Sequence, residues 1–492
     1  MFIPTGFWKD GLGDIDVIAH NDILHVFYLS LPSHDRVGHL CSKDGLRWGE
    51  MPPAIYTGNP GEFDDDQIWT MGVFAHKGKF FMLYTGISMK EQGKVQRIGL
   101  ATSDDLINWV KYKKNPVICA DPKWYEAALD ETHRVDWRDP WVFEDEGLLH
   151  GVISARSNKG PANRRGCAGY FVSKNGFDWI VKPPLCVPGS CYDFETPAVC
   201  KIKGRYYLTG ISGKNTLCFT PNVFRVAEQI EGPYKRIGHD DLLSGENLVY
   251  KPCTWKGQQL YFHNLRGTAD WEGGKNCVIT SLPPPKVADV DSEGALILRP
   301  FRKWDSVAKA KEKVLDAVAL KSNVSFQTGK WNKEGGVFRG EMRSGFGAFL
   351  LKGNEGSLIL TAKISSHDAK EFGFIIRSAD DADEATYVSL TPALRRVQLY
   401  TLAPYYKTPS AGVTYRWRGR IVVQEAVSPF EWTSSPELRV LAYGPYLEVS
   451  VNDRVLISAI TMKRDFGKYG FFIEDGSVNI SSIAVRPLRY SA

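Results

Sequence analysis

One short segment recurs three times in the first half of the chain, and it restricts the folds available. It reads Ser42-Lys-Asp-Gly-Leu-Arg-Trp48, then Ser103-Asp-Asp-Leu-Ile-Asn-Trp109, then Ser173-Lys-Asn-Gly-Phe-Asp-Trp179, with the same Ser-to-Trp offset each time. A short apolar run precedes each copy (GHLCS, IGLATS and GYFVS). A polar turn between two strands, closed by a buried Trp, is a hairpin signature. A second series runs between the copies: LHVFYLS at 24–30, KFFMLYTG at 79–86, LLHGVISA at 148–155, RYYLTGISG at 205–213 and QLYFHNLRG at 259–267. These β-branched and aromatic runs follow one another at intervals of roughly 55 to 70 residues, the mark of a repeated unit. Single four-stranded units cannot bury their own faces. Five of them set radially can, which predicts a five-bladed β-propeller.

From about residue 320 the texture changes to regular amphipathic runs such as GSLILTAKIS, FGFIIRSA and PELRVLAYGPYLEVSVNDRVLISA. Many short strands punctuated by Gly, Asp and Pro read as a two-sheet β-sandwich. The chain is therefore expected to be all-β, with a propeller over 1–305, a linker over 306–321 and a β-sandwich over 322–492. The stretch near 305–318 is the one helical candidate, and Pro283–Pro285 is expected to end the last propeller strands. A net charge of +5 on 492 residues, scattered without a basic run, excludes the electrostatic footprint of a nucleic-acid binder. No stretch reads as membrane-spanning, and the opening residues do not read as a secretory signal. Nine Cys without a CxxC pair suggest reduced thiols in a cytoplasmic protein, although Cys186 and Cys191 bracket a turn that an oxidising setting would let them bridge.

In a propeller the innermost strand of each blade lines a central funnel, so acids far apart in sequence converge there. Three stretches place acids beside apolar strand residues: Gly13-Asp14-Ile15-Asp16-Val17, Arg138-Asp139-Pro140-Trp141-Val142 and Asp193-Phe194-Glu195-Thr196-Pro197. One Asp before a strand is ordinarily a turn residue. Three at successive inner strands are a pattern, and glycosidic bond cleavage needs a carboxylate at the anomeric carbon and an acid at the leaving oxygen. The shorter Asp14 suits a fixed nucleophile or base, with Asp16 in reserve, since two residues one apart point the same way on a strand. The longer Glu195 suits proton donation, and Arg138 can hold its neighbour Asp139 ionised.

With these residues the chain resembles the five-bladed propeller glycoside hydrolases of family 32, which include invertases, inulinases and levanases, with family 43 arabinofuranosidases and xylosidases as near kin. Arg138-Asp139-Pro140 is similar to the family's Arg-Asp-Pro motif, and Glu195 in Glu-Thr-Pro to the acid of its Glu-Cys-Pro motif. Gly38-His39 with Ser42 and Trp48, the run Asp66-Gln-Ile-Trp69-Thr70, and Tyr84-Thr85-Gly86 also match family segments. The resemblance implies Asp14 as nucleophile, Glu195 as acid/base and Asp139 as transition-state stabiliser, acting on a terminal furanosyl residue of a small oligosaccharide. Asp16, Asp66, Trp69, Arg138 and His263 are expected at the sugar, His263 from the fifth inner strand, with Asp136 and Trp137 at the rim. No cofactor or metal is expected, and a calcium ion near the propeller axis is not predicted.

The first motif departs from the family. Where family 32 carries Trp-Met-Asn-Asp-Pro-Asn-Gly, this chain has Gly11-Leu-Gly-Asp-Ile-Asp16, nearer the Asp-Pro-Asp of family 43. Leu29-Ser30 stands where the family has Gln, and Thr196 where it has Cys. An inverting, family 43-like enzyme and a non-hydrolytic sugar-binding propeller are the two other readings, and the oligomeric state is left open.

Overall fold

The computed structural model describes residues 1–2, 11–129, 134–212, 222–238, 242–243, 245–271, 275–307, 313–314, 324–334, 337–353, 356–366, 368–382, 384–406, 416–428, 432, 434–461 and 466–488. By its internal contacts the chain divides into two units. The first holds Met1–Leu242, Asn247–Arg266 and Ile279–Leu298, and the second holds Leu243–Glu246, Gly267–Val278 and Arg299–Ala492.

Between Gly11 and Arg299 the strands form five antiparallel sheets in chain order. Blade 1 runs β1 (Gly11–His20), β2 (Ile23–Leu31), β3 (Arg36–Ser42) and β4 (Gly49–Tyr56). Blade 2 runs β5 (Gln67–His76), β6 (Lys79–Ile87), β7 (Gln96–Ser103) and β8 (Trp109–Lys111), and blade 3 runs β9 (Trp137–Asp145), β10 (Leu148–Arg156), β11 (Gly166–Ser173) and β12 (Ile180–Cys186). Blade 4 has three described strands, β13 (Phe194–Ile202), β14 (Arg205–Ser212) and β15 (Asn222–Ala227). Blade 5 comprises β16 (Asn247–Trp255), β17 (Gln258–Trp271), β18 (Lys275–Ser281), β19 (Lys286–Val290) and β20 (Leu296–Arg299). The first strands touch in turn: β1 meets β5, β5 meets β9, β9 meets β13, β13 meets β16, and β16 returns to β1. That closed ring makes them the inner strands of a five-bladed propeller. Their approach is tight at Gly72, where a Cβ would lie 2.4 Å from the Pro140 carbonyl oxygen of the next inner strand.

The core lies between blades rather than within them. Phe27, Leu29 and Val37 of blade 1 cluster with Met71, Val73 and Met82 of blade 2, and Phe74, Phe81 and Leu83 of blade 2 with Val142 and Phe171 of blade 3. Each such side chain contributes about 1.5–3 kcal/mol by leaving water, which is why no single sheet would be stable alone. The repeated Ser-to-Trp segment serves this packing. Ser42, Ser103 and Ser173 accept backbone N–H groups through Oγ at the third-strand ends, holding each turn. The Trp then meets a ring of the preceding blade edge-on: Trp109 against Phe27, Trp179 against Phe74, and Trp48 against Phe262 of blade 5. These tryptophans are half-buried rather than fully buried, because their other face covers the outside of the turn.

The strands from β21 (Lys313–Val314) to β33 (Lys468–Pro487) form one sheet folded on itself into the β-sandwich of the second unit. The 20-residue β33 pairs β24 (Val337–Leu351) and β26 (Glu371–Ser378) over its first part and β25 (Leu358–Ser365) over its second, so one long strand serves both layers. Phe349, Leu360, Phe374, Val440, Val449 and Phe471 lie in its core.

Two expectations are corrected. Pro283–Pro285 do not end the propeller strands: the chain returns as β19, which pairs β17, and β20. The helical candidate is reduced to a short 3-10 turn at Arg302–Val307, followed by a strand pair at Lys313–Val314, and the remainder of 305–318 lies outside the described residues. Cys186 and Cys191 are free thiols. No helix among the described residues is long and apolar enough to cross a membrane.

Candidate active site

Every inner strand loses register with its neighbour at the same level. The breaks fall between Leu12 and Ile15, Trp69 and Met71, Arg138 and Trp141, Glu195 and Ala198, and Leu248 and Lys251. Each is a β-bulge, one extra residue on the inner strand, which re-aims side chains out of the ladder. Asp14, Thr70, Asp139, Thr196 and Val249 sit in these bulges, and three of them adopt left-handed backbone (Asp139 φ 61°, Thr196 φ 48°, Val249 φ 60°). For β-branched Thr and Val this conformation is strained, and it persists because the packed ring determines it.

The bulges bring the expected acids together. Thr70 Oγ1 donates to Asp14 Oδ2 at 2.5 Å, and the same side chain is hydrogen-bonded to Asp139. A hydroxyl has one proton to give, so Thr70 serves one of the two carboxylates at a time, and its bond to Asp139 favours the ionised form of that carboxyl. Burial, and then the neighbouring Asp14, push the Asp139 carboxyl above the usual carboxylate range against the opposing pull of Arg138. Asp139 also accepts the Thr196 N–H at 2.9 Å, and its own N–H donates to Thr85 Oγ1 at 3.1 Å. Asp16 accepts the Val73 N–H at 2.5 Å and is fully buried where Asp14 is half-buried. Burial pushes its carboxyl up to about 6.

Arg138 organises the acid side. Its Nη1 donates to Asp136 Oδ1 at 2.7 Å and its Nη2 to Glu195 Oε1 at 2.9 Å, with Asp193 Oδ2 at 3.4 Å and Asp139 Oδ2 at 3.7 Å. Arg134 adds a second guanidinium, 2.5 Å from Asp136 and 3.9 Å from Asp193. Burial opposes the Arg138 charge, but the four carboxylates around it raise its pKa further above the ordinary guanidinium range. Asp136 is held above the usual carboxylate range by burial, Arg138 pulling the other way. Four carboxylates, those of Asp136, Asp139, Asp193 and Glu195, thus gather around two guanidiniums. A cluster of that kind suits a residue that must deliver a proton.

Of the remaining expected residues, Trp69 is half-buried, its Nε1 donating to Gln67 Oε1 at 2.6 Å and its ring tilted over His34. Asp66 is half-buried as well. The acidic run Asp64-Asp65-Asp66 is not a solvated loop: Asp64 is buried, accepting Tyr84 Oη at 2.9 Å and Lys111 Nζ at 2.5 Å, while Asp65 accepts the Gly61 and Met89 N–H groups. His263 is not on the inner strand. It lies on β17, fully buried against Tyr250, with Nδ1 toward the Asn264 carbonyl, because the Lys256-Gly257 turn has already ended β16. Trp137 is core rather than rim, fully buried against Tyr125. Thr70, Arg134, Asp193 and Lys251 were not singled out as site residues. Asp193 had a signal, an acid standing two residues before Glu195 at the start of β13. Thr70 had only its place at the end of the Asp66–Thr70 run that resembles a family segment, since a neutral hydroxyl in a strand is unremarkable.

Thr70→Val keeps the shape and removes the donor shared by the two floor carboxylates. A hydrogen bond to a charged group is worth about 1.5–3 kcal/mol, so kcat should fall at least about tenfold with KM little changed. Steady-state kinetics on the best substrate checks this, and an unchanged kcat would mean that the hydroxyl takes no part.

The description "Glycosyl hydrolases family 32 N-terminal domain" matches residues 12–256, which include all five bulges. Sucrose-6-phosphate hydrolase of Bacillus subtilis is 27% identical over 193 residues, covering 38% of this chain and 36% of that protein. The 6(G)-fructosyltransferase of Asparagus officinalis is 27% identical over 174 residues, covering 32% of this chain and 26% of that protein. The chain thus spans well under two thirds of the length of both curated relatives. Among solved structures, fructan 1-exohydrolase IIa of Cichorium intybus superposes over 99% of this chain and 97% of its own, with a TM-score of 0.70 at 16% identity, a likeness of fold. The family 43 alternative is not favoured by these matches. A closed ring of five bulged inner strands, carrying Asp14, Arg-Asp-Pro and Glu-Thr-Pro at one level, agrees with the matched domain, and the chain belongs to glycoside hydrolase family 32.

Proposed function

We propose that the protein cleaves or transfers a terminal β-fructofuranosyl residue of a small oligosaccharide, with retention of configuration. Asp14 attacks the anomeric carbon, Glu195 protonates the leaving oxygen and then activates the acceptor, and Asp139 stabilises the oxocarbenium-like state through the sugar hydroxyls. The observation that carries this is the pairing of Asp14 and Asp139 through Thr70, with Arg138, next to Asp139, holding Glu195 at 2.9 Å. The names of the relatives, a sucrose-6-phosphate hydrolase and a fructosyltransferase, support a fructosyl donor and leave water and a second sugar as acceptors. Asp66 and Trp69, both half-buried, are read as contacts to the sugar, with Trp69 offering a ring face for stacking. A cytoplasmic setting, which the seven free thiols among the described residues suit, goes with small imported saccharides rather than polymers.

Turnover on matched fructosyl, arabinosyl and xylosyl aryl glycosides tests the donor. The fructoside should be preferred, and NMR of the first-formed product should show retention. Preference for a pentosyl donor with an inverted product would overturn the proposal, and binding without turnover of any donor would favour a sugar-binding propeller.

A further inference from the structure

The five bulges make the blades comparable residue by residue. The residue that resumes regular pairing after the bulge is Ile15 in blade 1, Met71 in blade 2, Trp141 in blade 3 and Ala198 in blade 4, all buried and apolar. In blade 5 it is Lys251, which is likewise 0% exposed. An ammonium in a place that the fold elsewhere fills with hydrocarbon is costly to desolvate. Its Nζ has no hydrogen-bond partner, and the buried Asp16 Oδ1 has none either. The charges Lys251 interacts with are Asp16, Asp139 and Asp14. Asp14 and Asp16 belong to blade 1 and Asp139 to blade 3, so a side chain from blade 5 reaches toward both across the propeller axis.

We propose that Lys251 is a positioning residue whose ammonium, set at the axis beneath the bulges, is the built-in counter-charge that keeps the Asp14 and Asp139 floor ready for nucleophilic attack. The proposal rests on the reading of Asp14 as nucleophile given above. Three carboxylates meet at the floor, and Arg138 is already shared among Asp136, Asp139, Asp193 and Glu195. Among the described residues, Lys251 is thus the cation left to offset Asp14 and Asp16. The other groups facing this cluster are His34, which interacts with Asp14, and Cys253, which interacts with Asp16, while β5 and β13 contribute the neutral Thr70 and Thr196. Burial lowers the Lys251 pKa and these carboxylates raise it, so its charge depends on theirs.

The test is the pH dependence of kcat/KM in Lys251→Met and Lys251→Arg. Removing a nearby cation favours protonation of the floor carboxylates, so the acidic limb in Lys251→Met should move up by about one pH unit. Below the limb that is about a tenfold loss, shrinking toward neutral pH. Lys251→Arg should restore the limb to its wild-type position. A packing role would instead lower the rate equally at every pH, and an unmoved limb in Lys251→Met would overturn the proposal. If the methionine variant does not fold, Lys251→Gln is judged by the same limb. Asp14→Asn separates the two readings: retained turnover there removes the site assignment, whereas a dead Asp14→Asn with an unmoved Lys251→Met limb removes only the role of Lys251.

Discussion

Asp14→Asn is expected to fold as the wild type does and to lose turnover by on the order of 10⁴-fold, about 5.5 kcal/mol at 1.36 kcal/mol per decade. The amide is isosteric and keeps an oxygen to accept from Thr70 Oγ1, so the bulge and the ring should survive the change. What disappears is the anionic oxygen that would bond the anomeric carbon, and an amide is a poor substitute nucleophile. Glu195→Gln is the companion measurement. It should lower kcat by about 10²–10⁴-fold on sucrose-like donors, with a much smaller loss on aryl fructosides, whose leaving group departs without a proton. That difference between substrates is the signature of an acid/base. An equal loss on both would reassign Glu195, and a near-wild-type rate in Asp14→Asn would pass the nucleophile role to Asp16.

Arg138→Met should produce the largest loss of stability of any single change at the site. The guanidinium is almost completely buried and is the shared partner of Asp136, Asp139, Asp193 and Glu195. Removing one member of a buried ionic set leaves the others uncompensated at about 3–5 kcal/mol. Urea unfolding would register this as a lower midpoint. The pH dependence has a definite sign. Asp136 and Asp139 already have folded-state pKa values above the ordinary carboxylate value, and without Arg138 they rise further. A group with a raised folded-state pKa binds more protons folded than unfolded, so its stability contribution is lost as pH rises through that value. The variant's deficit should therefore shrink on acidification from neutral pH toward the ordinary carboxylate range. A wild-type midpoint at neutral pH would show that the four carboxylates do not depend on this cation.

How far the site could be read in advance depended on the kind of residue. Asp14, Asp139 and Glu195 stood out because each is an acid lodged among apolar strand residues, beside a Pro or a second acid, and the bulges bring all three to one level. Asp193 carried the same signal as Asp16, an acid one residue from another acid, and was read only as part of the Glu195 stretch. Thr70 was visible only as the end of the Asp66–Thr70 run, because its importance lies in bonding Asp14 and Asp139, two partners that sequence does not place beside it. Lys251 stood in plain view as a single cation in Val-Tyr-Lys-Pro, but its meaning required knowing that its register equivalents are Ile15, Met71, Trp141 and Ala198. His263 was assigned to the wrong strand of the right blade. Periodicity identifies a strand but does not say which of two paired strands is the inner one.

The amino-acid order alone determined the repeat, its five-fold count, the change to a sandwich and three acids with the chemistry of glycoside cleavage. These are local properties: alternation, turn residues and the spacing of one hairpin decide them within each unit. The tertiary structure decided which strand of each unit faces the axis, that every inner strand breaks register at one level, and how four carboxylates come to share Arg138. Those features arise only when five units close on one another, since a ring sets neighbours that are more than fifty residues apart in the chain.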